Sequence, residues 1–427
     1  FIEPSAGRVV EQRPVAWQVV HGTERSVAAC YVLKNDRVQF EFPDGIDPNY
    51  PLVIDPVVSF STYSGSNADN FGLTATYDES GNLYGGGSAF GIGYPTTLGV
   101  QQPGFGGGTV DMGITKFNPT GTAQVWSTYI GGTGNDIPHS MVVNSADELY
   151  ILGTTSSTDL PLSAGAFETI FNGGTSPPFG GSYGFTYTAG CDIAVIHLDA
   201  SATSLIGGTY VGGSGNDGLN QFTPLLRNYG DPFRGEIIMD QAENPIVITS
   251  TTSTNLFTTP GAVQSTFGGG LDAYLFRLDP LLTTMSWATY YGGSGNDAGF
   301  GVQISSTGEI YATGGTQSAD LLMAGTPASG ALAGQVDGFI ARFSADGSTL
   351  LSSTYLGTTE FDQSYFVQLD TQDDVYVVGQ TAGNFPITPG KYNNANGSQF
   401  IQKFSTDLST SIWSTRIGST GVENISP

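Results

Sequence analysis

Four carboxylates recur at one position of this sequence and are its first candidates for chemistry. Asp136, Asp217, Asp297 and Asp362 each stand seven residues after a tyrosine that closes a Ser-Thr-Tyr type of triplet, and Asn70 stands at the same place after Tyr63. Three of the four acids end the string Gly-Ser/Thr-Gly-Asn-Asp. A ring of carboxylates could hold Ca²⁺, a hard cation that takes oxygen ligands. The same residue types also serve tight turns, where Asp and Asn side chains bond nearby backbone amides. One acid per repeat favours the turn reading, with calcium as the one cofactor that the pattern admits.

Other chemistry is sparse. His21, His139 and His197 are the only histidines, and no two share a metal-ligand spacing. There is no Gly-x-Ser-x-Gly elbow, and the Gly-Gly-x-Gly strings end in acid with no helix behind them to receive phosphate. Cys30 and Cys191 are the only cysteines, too few for a disulfide framework but open to one Cys30–Cys191 bridge in an exported chain. The expectation is a protein without catalytic activity. Were it an enzyme, acting on polysaccharide through paired carboxylates, Glu168, Asp231 and Glu236 would be the candidates, as non-repeating acids in or beside two insertions.

The elements that carry these residues repeat. Ser61-Thr62-Tyr63, Ser127-Thr128-Tyr129, Gly208-Thr209-Tyr210, Ala288-Thr289-Tyr290, Ser353-Thr354-Tyr355 and Ser414-Thr415-Arg416 follow one another at spacings of 66, 81, 80, 65 and 61 residues. After each comes an alternating strand, a polar turn and a second strand; Tyr84, Tyr150, Tyr311 and Tyr376 occupy equivalent places in four of these second strands. A third strand opens with Asp111, Asp192, Asp272 or Asp337, and a fourth leads into the next triplet. Five residues after each of those acids stands Lys116, His197, Arg277 or Arg342. That offset puts the two on opposite faces of one strand, so a partner is expected on a neighbouring strand or blade.

Four short antiparallel strands in 60–80 residues form a unit that cannot bury both faces alone and must stack on copies of itself. The expected fold is therefore all-β: a β-propeller of four-stranded antiparallel blades. Blades are predicted at about 71–130, 137–211, 218–291, 298–356 and 363–418, with residues 419–427 starting a further blade. Residues 57–63 would supply a strand to close the ring, and six or seven blades are expected in a longer whole protein. Residues 1–56 read as the C-terminal part of a separate β-rich domain. Trp126, Trp287 and Trp413 precede three of the Thr-Tyr or Thr-Arg pairs, and their period points to packing between blades.

Composition agrees. Glycine accounts for 61 residues, tyrosine for 20 and phenylalanine for 25, while charged residues are only 12%, a mix suited to strands and tight turns. The formal net charge is −25 with 13 Lys and Arg, which argues against a nucleic-acid partner. No apolar run is long enough to span a bilayer, so no membrane insertion is expected.

The Ser-Thr-Tyr-x-Gly-Gly-x-Gly-Asn-Asp string and the hairpin typified by Gly308-Glu309-Ile310-Tyr311 resemble the SBBP-type bacterial β-propeller repeat, over residues 57–427. The stretches Gly7–Trp17 and Pro51–Pro56 resemble the end of the β-rich domain that often precedes such repeats. The resemblance implies a large secreted or surface-exposed bacterial protein of the kind found in Bacteroidota. Its expected location is extracellular or on the outer cell surface. Its expected role is binding, adhesion or surface assembly, with a surface protein or glycan as partner. The alternative is a cargo or associated component of type IX secretion, in contact with outer-membrane export components. Insertions near 165–190 and 221–235 are the expected contact face, through Phe179, Tyr183, Phe185, Tyr187, Tyr229 and Phe233. Deleting 168–188 is expected to abolish binding and leave stability nearly intact.

Overall fold

The computed structural model describes residues 14–34, 37–55, 64–178 and 182–418. The chain divides into two compact units, Phe1–Tyr63 and Ser64–Pro427. In the first, strands Thr23–Val27, Val15–Val20 and Leu52–Asp55 form an antiparallel sheet in that order, and Cys30–Lys34 pairs with Arg37–Glu41 as a hairpin. Buried Gln18 ties this sheet to its loop, donating to the Asp47 and Tyr50 carbonyls at 2.7 and 2.9 Å.

The second unit is a β-propeller of five described blades, each a four-stranded antiparallel sheet in chain order. Blade one comprises Asn70–Tyr77, Leu83–Phe90, Val110–Phe117 and Gln124–Ile130. Blade two comprises Asp136–Val143, Leu149–Thr155, Asp192–Leu198 and Leu205–Val211. Blade three comprises Glu236–Met239, Pro245–Thr251, Asp272–Leu278 and Met285–Tyr291. Blade four comprises Asp297–Ile304, Ile310–Thr316, Asp337–Phe343 and Leu350–Leu356; blade five comprises Asp362–Leu369, Val375–Thr381, Gln399–Phe404 and Ser411–Ile417. The strand expected in 57–63 and the further blade expected from 419 lie outside the described residues. No helix among the described residues is long and apolar enough to cross a membrane.

Alternation explains the stacking: each strand sends one set of side chains to the blade before and the other to the blade after. Four apolar clusters fill the four junctions. Tyr84, Met112, Ile114 and Trp126 of blade one meet Ile151, Ile196 and Tyr210 of blade two. At the next junction Leu152 and Val195 meet Val247 and Phe276, and then Ile248 and Trp287 meet Ala312 and Phe343. At the last, Tyr311 and Ile340 meet Val377 and Phe400. Each large side chain so buried is worth about 1.5–3 kcal/mol.

The repeated polar residues lock loops onto blades. The triplet tyrosines Tyr210, Tyr290 and Tyr355 donate to the carbonyls of Ser157, Ser253 and Ser318, just beyond each second strand, at 2.7, 3.0 and 2.8 Å. The basic residue of each third strand finds its partner in the hairpin turn of its own blade. Lys116 pairs with Asp78 at 2.9 Å, His197 with Glu148 at 3.0 Å and Arg277 with Asp240 at 3.3 Å. Arg342 pairs with Glu309 at 2.6 Å, and Lys403 with Asp370 and Asp374 at 2.8 and 2.9 Å. Trp126 and Trp287 are buried at blade junctions, and the Trp126 indole donates to Ala200 of the next blade at 3.0 Å.

Candidate site in the central channel

The first strand of each blade is broken at one place. Pairing with the second strand slips between Gly72 and Thr74, Pro138 and Ser140, Gly299 and Gly301, and Ser364 and Phe366. The residues left over are Leu73, His139, Phe300 and Tyr365, one bulge at one repeat position in four blades. A bulge leaves its extra residue unpaired and re-aims its side chain. Blade three departs most. Asp217 bridges Thr251, and regular pairing resumes only at Glu236 opposite Ile248. The intervening chain leaves the sheet where its sisters bulge, and it carries two short 3₁₀ turns, Thr223–Leu225 and Asp231–Phe233.

That excursion and the insertion of blade two pack inward. Phe185 and Tyr187 join Phe233, Leu219, Val110 and Ile137 in one buried cluster, with Leu73, Phe90 and Tyr183 against it. Leu225 joins Phe300, Val336 and Tyr365 in another, with Phe222, Phe361 and Phe366 against it. Between them lies a cavity of about 140 Å³ reached by all five first strands. Its walls include Leu73 and Thr74 of blade one, His139 and Ser140 of blade two, Glu236 of blade three, Phe300 of blade four and Phe366 of blade five, with Phe233 and Arg234 from the excursion.

A polar network backs this cavity. Buried Asp231 accepts from Arg234 Nε and from the Arg227 and Asn228 amides, all at 2.7 Å. The Arg234 guanidinium lies 4.4 Å from the Tyr365 ring centroid and 5.8 Å from that of Phe366. Asn228 donates to the Tyr365 hydroxyl at 2.8 Å, and Gln380 donates to Asn228 at 3.0 Å. Glu236 accepts only the Val302 amide, at 2.6 Å, and forms no ion pair among the described residues. Burial pushes its carboxyl up to about 7, against the pull of that one amide. His139 donates from Nε2 to Thr154 at 2.8 Å, since the only hydroxyl hydrogen of Thr154 goes to the Gly218 carbonyl at 3.0 Å. The His139 Nδ1 atom has no partner among the described residues, and burial pushes the imidazole down to about 3, keeping it neutral.

The four repeated acids stand elsewhere, each in its own blade. Asp136 accepts from the Thr155 and Ser157 hydroxyls and the Gly132 amide, Asp217 from Thr251, Ser253 and Gly213, and Asp297 from Thr316, Ser318 and Gly293. Asp362 accepts from the Thr358 amide and hydroxyl at 2.5 and 2.7 Å. Among the described residues no three His, Cys, Asp or Glu side chains gather to hold a metal. Each repeated acid has a buried neighbour, the acid that opens the preceding third strand. Gly131 lies between one such pair: a Cβ there would sit 2.6 Å from Asp111 Oδ1 and 2.7 Å from Asp136 Oδ2. Burial pushes Asp111, bonded to one amide, to about 8, whereas Asp136, with two hydroxyls and an amide, reaches about 6.

Several expectations change. Of the six insertion aromatics, Phe185, Tyr187 and Phe233 are buried, Tyr183 is half-buried and Tyr229 is 53% exposed; Phe179 lies outside the described residues. The rings cover one another instead of forming an outward contact face, and deletion of 168–188 would open the core. Both cysteines are free thiols: Cys191 is buried in the Phe185 cluster, and Cys30 lies in the N-terminal unit. Glu168 is a blade residue. Its carboxylate accepts the Gly212 amide at 3.0 Å, as Gln102 and Gln264 accept Gly131 and Gly292 in sister blades. Glu236 lines the channel cavity, and Asp231 lies in the polar network behind it. The sequence reading missed Arg234, Tyr365 and Phe300; the only signal for the last two was their shared place three residues after Asp362 and Asp297.

A family model described as "Beta-propeller repeat" (SBBP) matches residues 125–161, and a domain of unknown function, DUF7948, matches residues 1–57. No curated protein matches. Among solved structures, one of unknown function from Dyadobacter fermentans aligns at 11% identity over 83% of this chain and 85% of its own, with a TM-score of 0.40. The NanB sialidase of Streptococcus pneumoniae (K499G mutant) aligns at 9% identity over 83% of this chain and 62% of its own, with a TM-score of 0.44. An exo-1,5-alpha-L-arabinanase from a bovine ruminal metagenomic library aligns at 11% identity over 83% and 99%, with a TM-score of 0.31. The expectation of a chain without catalysis is corrected here. Glu236 lines a cavity, and a missing sequence motif gives no ground for excluding a reaction.

Proposed function

We propose that this chain is the binding propeller of a larger bacterial protein displayed outside the cell, and that its partner is a surface glycan. The observation that carries the reading is a groove of about 540 Å³ between the blade-three excursion and the loops of blades four and five. Thr223, Gln335, Thr359 and Glu360 offer hydroxyl, amide and carboxylate groups beside Pro224 and Phe361. Polar groups next to an apolar wall suit sugar hydroxyls and ring carbons. Arg227 lies 5.0 Å over the Phe361 ring and braces that wall. The match at 125–161 supports the repeat itself, and display outside the cell is what the resemblance of the repeats implies.

The test is a polysaccharide array probed with the full chain and with Phe361→Ala. The reading expects retained glycans with at least about tenfold weaker binding by the variant, a loss of about 1.4 kcal/mol. Binding to envelope proteins and to no glycan would replace the glycan with a protein partner. Co-purification of the native protein with outer-membrane export components would favour the secretion-cargo alternative.

A further inference from the structure

We propose that the channel cavity is a second binding site, for a small organic cation such as an alkylammonium, held by the Glu236 carboxylate against Phe233, Phe300 and Phe366. Three observations carry it. The cavity is built by all five blades together with the excursion, and at about 140 Å³ it holds a molecule of a few heavy atoms. Its walls present three phenylalanine side chains, and a cation is drawn to the face of an aromatic ring. Among the described residues Glu236 is the cavity's one carboxyl, bonded by a single amide and paired with no cation.

An anion placed in protein without a counter-charge is costly, and an incoming cation removes that cost. The other charged and titratable groups leave the role to Glu236. Arg234 is neutralised by Asp231 at 2.7 Å, burial keeps His139 uncharged, and among the described residues blades one, four and five bring Leu73, Thr74, Ala75, Phe300 and Phe366 to the wall. Binding should therefore strengthen as the pH rises through the Glu236 value of about 7. The site stands apart from the groove, so either can fail without the other.

The test is calorimetric titration of the full chain with ethylammonium and tetramethylammonium at pH 8 and pH 5, with tert-butanol as the uncharged probe. The proposal expects saturable binding of at least one cation, at least about tenfold tighter than tert-butanol and weaker at pH 5. Glu236→Gln, which can still accept the Val302 amide, should lose that preference by about tenfold. Phe233→Leu, which keeps an apolar wall without its ring, should weaken cation binding and spare tert-butanol. Equal binding of cation and alcohol, an unchanged Glu236→Gln variant, or no saturable cation binding overturns the proposal.

Discussion

Two regions of the propeller bury carboxyls, and they do so in opposite ways. At the blade junctions Asp217 sits among two hydroxyls and an amide of its own repeat, and Asp136 and Asp297 do the same. In the channel Glu236 has one amide and a cavity. The first arrangement recurs because each blade needs it: the acid gathers the loop before the first strand and the end of the second into one bonded corner. The second occurs once, where the chain rejoins the sheet after the excursion. Repetition marks scaffold, and departure from the repeat marks the place where the scaffold is put to use.

The largest effect that separates these regions should come from the aromatic plug. Phe185 is 6% exposed and packs on Phe90, Tyr187 and Phe233, with centroids 6.3, 5.3 and 5.8 Å away. Phe185→Ala should cost about 3–5 kcal/mol in denaturant unfolding. A cost below about 1 kcal/mol would return the insertion to the role of a dispensable surface loop.

The pH dependence comes next in size. Burial raises Asp111 and Asp192 to about 8, Asp217, Asp272 and Glu236 to about 7, and Asp136 and Asp337 to about 6. A carboxyl raised on folding adds stability that is complete below its unfolded value, near 4, and is lost as the pH rises through its folded value. Turn acids such as Asp346, held near 2 by Ser344 and Ser348, act in the opposite sense and lose their contribution only below about pH 4. Stability should therefore peak near pH 4–5 and fall towards pH 8. A maximum at pH 7–8 in thermal unfolding would show these acids to be ionised and solvated.

The smallest effect belongs to Tyr229, on the blade-three excursion and 53% exposed. Tyr229→Ser should change stability by less than about 0.5 kcal/mol. A loss as large as that of Phe185→Ala would mean that the excursion packs as one block, with no outer surface of its own.

Most of the scaffold was legible in the sequence, because a repeat reports itself: the triplet tyrosines, the Gly-Asn-Asp corners and the basic residues of the third strands all took the places that their period assigned. The channel was not legible, for a physical reason. Leu73, His139, Phe300 and Tyr365 share a repeat position yet differ in chemistry, and only the pairing slip at that position shows that it faces the axis. Asp231 and Glu236 could be named as non-repeating acids, but their partners Arg234, Tyr365 and Val302 come from other blades or from within the excursion. Nor does an aromatic-rich insertion say in its sequence whether it turns outward or in. That depends on whether a channel stands open beside it, and here one does.

The contrast between the two kinds of carboxyl is tested most directly by urea unfolding of Glu236→Gln and Asp217→Asn at pH 5 and pH 8. Gln at 236 keeps the Val302 bond and removes a charge that has no counter-ion. Asn at 217 turns an amide N–H₂ toward groups that already donate. The account predicts that Glu236→Gln is neutral at pH 5 and stabilising at pH 8, while Asp217→Asn is destabilising at both. If the two variants lose stability alike at both pH values, the channel carboxyl is one more structural acid, and the distinction between scaffold and site falls.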